Sequence, residues 1–282
     1  MSIVGQDKLL KQLDTYTLDT FPRTAMFVGD YGAGKHLICK MLSEKFNLPL
    51  LDISDNINLE TLDNICLSTN VNMYLIDASM INEKEQNIIL KFLEEPLKNA
   101  YIVLLVNNKN RLLPTVTNRC KVFELAKYTK ETLSSFIEIN ESNKYILDIA
   151  NTPGEILNLK DSKLSDTVAL SDKIINCIHK ATFANTLTLL DKVSFRARKN
   201  AVVENDTSKI DAFLLTKIII RKLISNCINN CDPWLFDCYN LTLDLSKKLD
   251  NSLQNLGIDQ KYLFAQYLSE MWMHSRKYNN GK

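Results

Sequence analysis

A chain of 282 residues with 45% hydrophobic content carries enough apolar material for two or three domains with cores of their own. Its 34 Lys and Arg nearly balance 33 Asp and Glu, leaving a net charge of +1, which excludes a protein that holds nucleic acid by a bulk positive field; any DNA contact is expected to be local or shared with partners. No run approaches the roughly 18 apolar residues of a membrane span, and Met1–Gln6 lacks the basic region and apolar core of a signal peptide, so a soluble cytoplasmic protein is expected, in the host cytoplasm if a virus encodes it.

In chain order, Ile3-Val4-Gly5-Gln6 leads into a predicted helix over Lys8–Tyr16, and Thr24–Val28 is a predicted strand. That strand delivers the chain into Gly29-Asp30-Tyr31-Gly32-Ala33-Gly34-Lys35-His36, the strand, glycine loop, helix context of a phosphate-binding loop. Glycines let backbone N–H groups converge on an anion at a helix N-terminus, and Lys35 supplies a point charge for terminal phosphates. The eighth position should carry a Ser or Thr hydroxyl for Mg²⁺. It carries His36, and a neutral imidazole is a poor partner for a hard cation, so magnesium is expected to be held weakly or not at all. Two readings of the loop stay open: a phosphate site, or a turn that keeps its shape without one.

Leu50–Ile53 is a second predicted strand, Leu59–Leu67 a helix, and Asn72–Ser79 a third strand with Asp77 near its end. Magnesium-dependent phosphoryl hydrolysis needs two adjacent carboxylates at such a strand end, one for the metal and one for the attacking water; here there is one. From Asn82 a helix follows, because Ile88/Phe92 and Ile89/Leu93 lie at i,i+4 spacing and Pro96 stops it just after Glu94 and Glu95. Tyr101–Val106 is an apolar run rich in branched residues, predicted as a central strand of a parallel sheet, with Asn107, Asn108 and Lys109 at its functional edge. Asn118-Arg119-Cys120 places an arginine at a loop-to-strand junction.

Lys127 to about Lys160 reads as a small helical unit, with Thr129 as the cap of a helix containing Leu133, Phe136 and Ile137, another helix over Tyr145–Ala150, and then Thr152-Pro153-Gly154-Glu155. From Ser165 onward every element is predicted helical: Val168–Ala181, Thr186–Ser194, Ile210–Asn229, Trp234–Leu249 and Lys261–Arg276, with polar breaks at Lys199–Lys209 and Asn251–Asp259 and a frayed tail from Lys277. The stripe Phe213, Ile220, Leu223 is expected to be that region's own core. Seven cysteines without an export signal argue against disulfides, and Cys227, Cys231 and Cys238 lack the tight pairs of a zinc site, so they read as core residues.

Gln86-Asn87-Ile88-Ile89-Leu90-Lys91-Phe92-Leu93-Glu94-Glu95-Pro96 and Pro114-Thr115-Val116-Thr117-Asn118-Arg119-Cys120 strongly resemble the clamp-loader subunits of the AAA+ ATPases, whose helix reads AQNALLKxLEEP and whose later box reads PTxxSRC. The resemblance runs from Ile3 to about Leu159; beyond that only the helical character matches. It implies an α/β AAA+ domain built on a P-loop parallel sheet over residues 1–126, a helical lid over 127–164, and an all-α collar domain over 165–282 through which subunits form a ring.

The resemblance also implies site roles. The Gly5-Gln6 turn helps frame adenine, and Gly29, Gly32, Gly34, Lys35 and His36 form the nucleotide loop. Asp77 stands in the Walker B box, as the water-activating acid when aligned without a gap to the Asn87–Lys91 block and as the magnesium acid when aligned with one. Asn107 takes the sensor-1 position near the γ-phosphate, and Arg119 is an arginine finger that reaches into the nucleotide site of a neighbouring subunit. Gly154 falls where catalytic relatives carry the sensor-2 arginine, and Pro-Gly there is similar to what delta-prime subunits carry. Many bacterial relatives have a four-cysteine zinc module between the nucleotide motifs; this chain has only Cys39 and Cys66 there, so no zinc is expected.

His36, the single acid and Gly154 each weaken self-hydrolysis while the donated group remains. The resemblance therefore implies a delta-prime-like subunit of a DNA polymerase sliding-clamp loader, holding ATP or ADP without turnover or holding none. Its partners would be other clamp-loader subunits in a hetero-oligomer, the sliding clamp, and primer–template DNA through the complex, with no membrane involved. Two other readings stand: a working AAA+ ATPase such as a motor subunit or helicase loader, and a scaffold in which Arg119 is a solvated surface charge.

Overall fold

The four strands predicted from the sequence and a fifth after Cys120 alternate with helical segments and make one parallel sheet. The computed structural model describes residues 3–79, 81–94, 99–138, 146–160, 164–179, 198–199, 202–203, 210–230, 233–252 and 260–279. The strands are β1 (Thr24–Val28), β2 (Leu50–Asp52), β3 (Asn72–Asp77), β4 (Ala100–Val106) and β5 (Lys121–Glu124), in the order β2-β3-β4-β1-β5. All neighbours pair parallel, with Thr24 opposite Ile102, Ala25 opposite Lys121 and Asn72 opposite Ala100. Every residue of β4 is buried, which is why that run is continuously apolar.

Alternation along the strands divides the core between two faces. Tyr101, Val103 and Leu105 pack with Phe27, Met73 and Leu75 beneath α1 (Asp7–Asp14) and α2 (Lys35–Phe46). Ile102, Leu104 and Val106 pack with Met26, Tyr74 and Ile76 beneath α3 (Leu59–Leu67), α4 (Glu83–Glu94) and the short α5 (Pro114–Thr117). Asn82 and Glu85 close the α4 N-terminus reciprocally, the Asn82 N–H donating to Glu85 Oε2 at 2.8 Å and the Glu85 N–H to Asn82 Oδ1 at 3.0 Å. The C-terminal ends of β1, β3 and β4, neighbours in the sheet, carry Gly29, Asp77 and Asn107 to one edge, where open α/β sheets bind ligands.

Contacts divide the chain into two compact units, Met1–Glu138 with Ala150–Leu157, and Ile139–Ile149 with Asn158–Lys282. The first continues past the sheet into α6 (Lys130–Ser134). Thr129 caps α6 as expected, its Oγ1 accepting from the Thr132 N–H at 3.2 Å, but the helix stops before Phe136 and Ile137. The Ser134 and Ser135 hydroxyls donate back to the Glu131 and Thr132 carbonyls, both at 2.7 Å, a local competition that favours ending a helix over extending it. Next come α7 (Ile146–Ile149) and α8 (Pro153–Lys160).

In the second unit, α9 (Leu164–His179), α10 (Ala212–Asn230), α11 (Pro233–Ser252) and α12 (Gln260–Asn279) surround a core of Ile174, Leu215, Ile219, Leu223, Leu245, Phe264 and Met271. The Thr242 and Tyr267 hydroxyls meet at 2.7 Å inside it, and burial pushes the Tyr267 phenol up. Ile220 is only half-buried, so of the stripe read from the sequence Leu223 is the core member; the Phe213 side chain lies outside the described residues.

Two features depart from the sequence reading. Arg198–Lys199 (β6) and Val202–Val203 (β7) form a short antiparallel pair that overlaps the start of Lys199–Lys209, expected to be only a break between helices. Helix α12 also runs on to Asn279 instead of fraying after Arg276, because the next helix-breaking residue, Gly281, comes later. The expected helix Thr186–Ser194 lies outside the described residues, and among those described no helix is long and apolar enough to cross a membrane.

Burial also sorts the thiols. Cys39 is fully buried and Cys120 half-buried, and desolvation pushes each to about 12, whereas Cys66 is exposed. Cys238 is core, Cys227 packs half-buried against it, and Cys231 lies outside the described residues. At pH 8, iodoacetamide is expected to label Cys66 at least about tenfold faster than Cys39 or Cys120, since the thiolate is the nucleophile. Peptide mapping by mass spectrometry reads the order, and faster labelling of Cys120 would contradict it.

Candidate functional site

The glycine loop rises from β1, held to the neighbouring strand by the Gly29 N–H, which donates to the Val106 carbonyl at 3.0 Å. Gly32 and Gly34 have φ of 75° and 96°, the left-handed region that favours glycine, and Gly34 caps α2. Lys35, 7% exposed, turns its ammonium onto the loop itself: Nζ donates to Gly29 O at 2.6 Å, Asp30 O at 3.0 Å and Asn107 Oδ1 at 2.7 Å. An ammonium has three protons, and all three are taken. Burial lowers the Lys35 pKa, while the nearby Asp77 and Asp30 carboxylates act in the opposite direction. Lys35, Asn107, Asp30 and Asp77 are thus brought together. Asp77 is itself engaged, its N–H donating to Ser54 Oγ at 2.8 Å and its Oδ1 accepting from the Ser79 N–H at 3.0 Å. His36 is exposed on the first turn of α2.

Arg119 lies elsewhere on the same unit. Pro114 opens α5 at the first helical position, where its missing N–H costs nothing, and buried Val116 anchors that turn. Just past it, Thr24 Oγ1 donates to the Arg119 carbonyl at 2.6 Å and ties the arginine's backbone to the start of β1. The guanidinium reaches the surface with its side chain 36% exposed, Nη2 against Glu94 Oε1 at 2.8 Å and Nη1 donating to Thr115 O at 2.9 Å. A pair this exposed is worth about 0–1 kcal/mol, so it orients the arginine without burying it.

Comparison with known proteins bears on this arrangement. The family described as DNA polymerase III, delta subunit, matches residues 53–129, the span from the end of β2 through both motif blocks. The subunit gamma of DNA polymerase III from Buchnera aphidicola subsp. Schizaphis graminum is 23% identical over 261 residues, covering 78% of this chain and 67% of that protein. Its counterpart from Buchnera aphidicola subsp. Acyrthosiphon pisum is 26% identical over 202 residues, covering 66% of this chain and 51% of that protein. Over residues 53–129 the chain is thus similar to the DNA polymerase III delta-subunit family, and over most of its length to the gamma subunits. The fold agrees: a DNA polymerase III gamma subunit-related protein from Thermotoga maritima superposes with a TM-score of 0.52 at 13% identity, covering 95% of this chain and 98% of that one.

Within this chain, bonds that the sequence reading missed hold the site residues in place. Gln6, 1% exposed, grips Ala126 with both ends of its amide, Nε2 donating to the carbonyl at 2.9 Å and Oε1 accepting from the N–H at 2.8 Å. Gln86 does the same service for the arginine box: it accepts from the Leu113 N–H at 2.7 Å, the residue just before α5. Both glutamines stand in motifs read from the sequence, the Gly5-Gln6 turn and the block that opens on Gln86, but nothing in those motifs announces these bonds. Gln86→Ala leaves that N–H without its acceptor in a buried setting and is expected to cost about 1–3 kcal/mol, read as a shift of the urea midpoint at constant slope. A change under about 0.5 kcal/mol would show that the loop before α5 is held by other means.

Proposed function

We propose that this chain is a subunit of a DNA polymerase III clamp loader, delta-prime-like in role, that hydrolyses no ATP itself and donates Arg119 to the ATP site of a neighbouring subunit. The loader would open a sliding clamp and place it on primer–template DNA. The observation that carries the reading is a contrast between two cations. Lys35, the charge its own loop would use, is buried and fully bonded within the chain, whereas the Arg119 guanidinium stands at the surface on a fixed backbone, held among the described residues by an exposed carboxylate, Glu94, and the Thr115 carbonyl. A guanidinium so placed suits developing charge on a phosphate supplied from outside.

A working ATPase is the second reading, favoured by the gathering of Lys35, Asn107 and Asp77 at one sheet edge. Co-expression with the gamma-type ATPase subunit of the same genome separates the two. The proposal expects a stable hetero-complex whose turnover survives Lys35→Ala in this chain. Steady hydrolysis by the isolated chain that Lys35→Ala abolishes would sink it in favour of the second reading.

A further inference from the structure

A magnesium nucleotide is what the AAA+ fold implies for the glycine loop, and the residues present do not fit it. A triphosphate on such a loop needs an ammonium with protons to offer, an oxygen-rich metal site and a backbone free to close on the anion. Lys35 has three acceptors for three protons, so a phosphate would have to displace two backbone carbonyls or the Asn107 amide. At the end of β3 the metal would find a single acid, Asp77, already accepting from the Ser79 N–H, and at the start of α2 an imidazole, His36, in place of a hydroxyl.

The loop's backbone is also held from outside along three successive residues. The Tyr31 carbonyl accepts from Thr152 Oγ1 at 2.8 Å, the Gly32 carbonyl from the Gly154 N–H at 3.0 Å, and the Ala33 carbonyl from the Tyr128 hydroxyl at 2.8 Å. The approach at Gly154 is backbone to backbone: a Cβ there would come within 2.6 Å of Gly32 Cα, and a Cβ on Gly32 within 2.7 Å of Thr152 Oγ1. An arginine at 154 would therefore force the two segments apart. On the other flank the Tyr128 ring lies against Gly5, whose added Cβ would fall 3.1 Å from Tyr128 Cε1.

We infer that the loop of residues 29–36 has exchanged its ligand for the chain's own groups: it takes no magnesium nucleotide and serves as a joint that fastens Tyr128 and the Thr152–Gly154 segment to the sheet. The staple does the fixing that a bound nucleotide would do, and it does so permanently. This holds or fails independently of the donor role of Arg119, because it concerns only the isolated chain.

The 282-residue chain is titrated with MgATP and with MgADP to about 1 mM, by calorimetry and by thermal melting. A site of roughly 10 µM affinity would raise Tm by about 5–10 °C at that concentration; the joint predicts no saturable heat and a shift below about 1 °C. Saturable binding of either nucleotide that Lys35→Met removes overturns the inference. The joint itself is read by hydrogen exchange at the Gly154 amide. The double variant Tyr128→Phe, Thr152→Val keeps both side-chain volumes and is expected to speed that exchange about tenfold or more, whereas Thr152→Ser, which keeps a hydroxyl, leaves it within about threefold of wild type. Unchanged exchange in the double variant overturns the stapling.

Discussion

Arg119→Ala in the assembled clamp loader is expected to lower DNA- and clamp-stimulated ATP turnover at one neighbouring site by about 10²-fold or more, toward the 10³–10⁵ that an arginine placed against a transferring phosphoryl group can contribute. The substitution removes little from this chain. The pair with Glu94 is exposed and worth about 0–1 kcal/mol, and the Thr24 bond is to the Arg119 carbonyl, which alanine retains. Assembly and melting temperature should therefore stay close to wild type, so a loss of turnover reads directly as loss of the donated group. Arg119→Lys is the sharper companion. It keeps the charge but not the planar fork, and turnover is expected to remain well below wild type. Glu94→Gln tests the tether from the other side: it leaves the guanidinium intact, so its effect should be no more than about fivefold. Normal turnover in an intact complex carrying Arg119→Ala would remove the donor role and leave Arg119 as a surface charge.

The parts of this molecule that were legible in its sequence are those set by side-chain pattern. The strand Thr24–Val28 and the helix Leu59–Leu67 have the bounds that apolar runs and flanking polar residues indicate, and Tyr101–Val106 is the middle of the sheet because a strand buried on both faces has no polar alternation to show. The resemblance was legible because two motif blocks stand at fixed spacing, and the span 53–129 that matches the delta-subunit family contains both. What stayed hidden is carried by backbone groups. Any residue offers a carbonyl, so nothing in Tyr31-Gly32-Ala33 announces that three donors from residues 128, 152 and 154 will find them. Gly154 could be noticed as a missing arginine, but the reason for glycine, a backbone within van der Waals reach of Gly32, exists only in three dimensions. The same holds for Glu94 and Arg119, 25 positions apart, and for the serines that end α6, where local hydroxyl bonds outweigh an apolar pattern that continues through Phe136 and Ile137.

Phe123→Ala is expected to cost the first unit about 3–5 kcal/mol of unfolding free energy. Phe123 is 1% exposed and stands where three rings converge: it stacks on Phe27 with centroids 5.2 Å apart and on Phe21 at 6.2 Å, and meets Tyr16 edge-on at 6.0 Å. Removing it opens a cavity that α1 and the Tyr16–Phe21 loop cannot fill without leaving their own contacts, since Phe21 is also held against Phe46 and Tyr101. The strand it belongs to makes the damage functional. Strand β5 is at the sheet's edge and pairs only with β1, so its place depends on Phe123 more than on hydrogen bonds, and Arg119 precedes it by a single residue, Cys120. Urea unfolding followed by far-UV circular dichroism should show the loss as a lower midpoint. Neither tryptophan, Trp234 nor Trp272, lies in the first unit, so fluorescence gives a separate view of the second. A loss below about 1 kcal/mol would mean that the ring cluster repacks around the gap, and that β5, with the arginine before it, is held by its ladder to β1 instead.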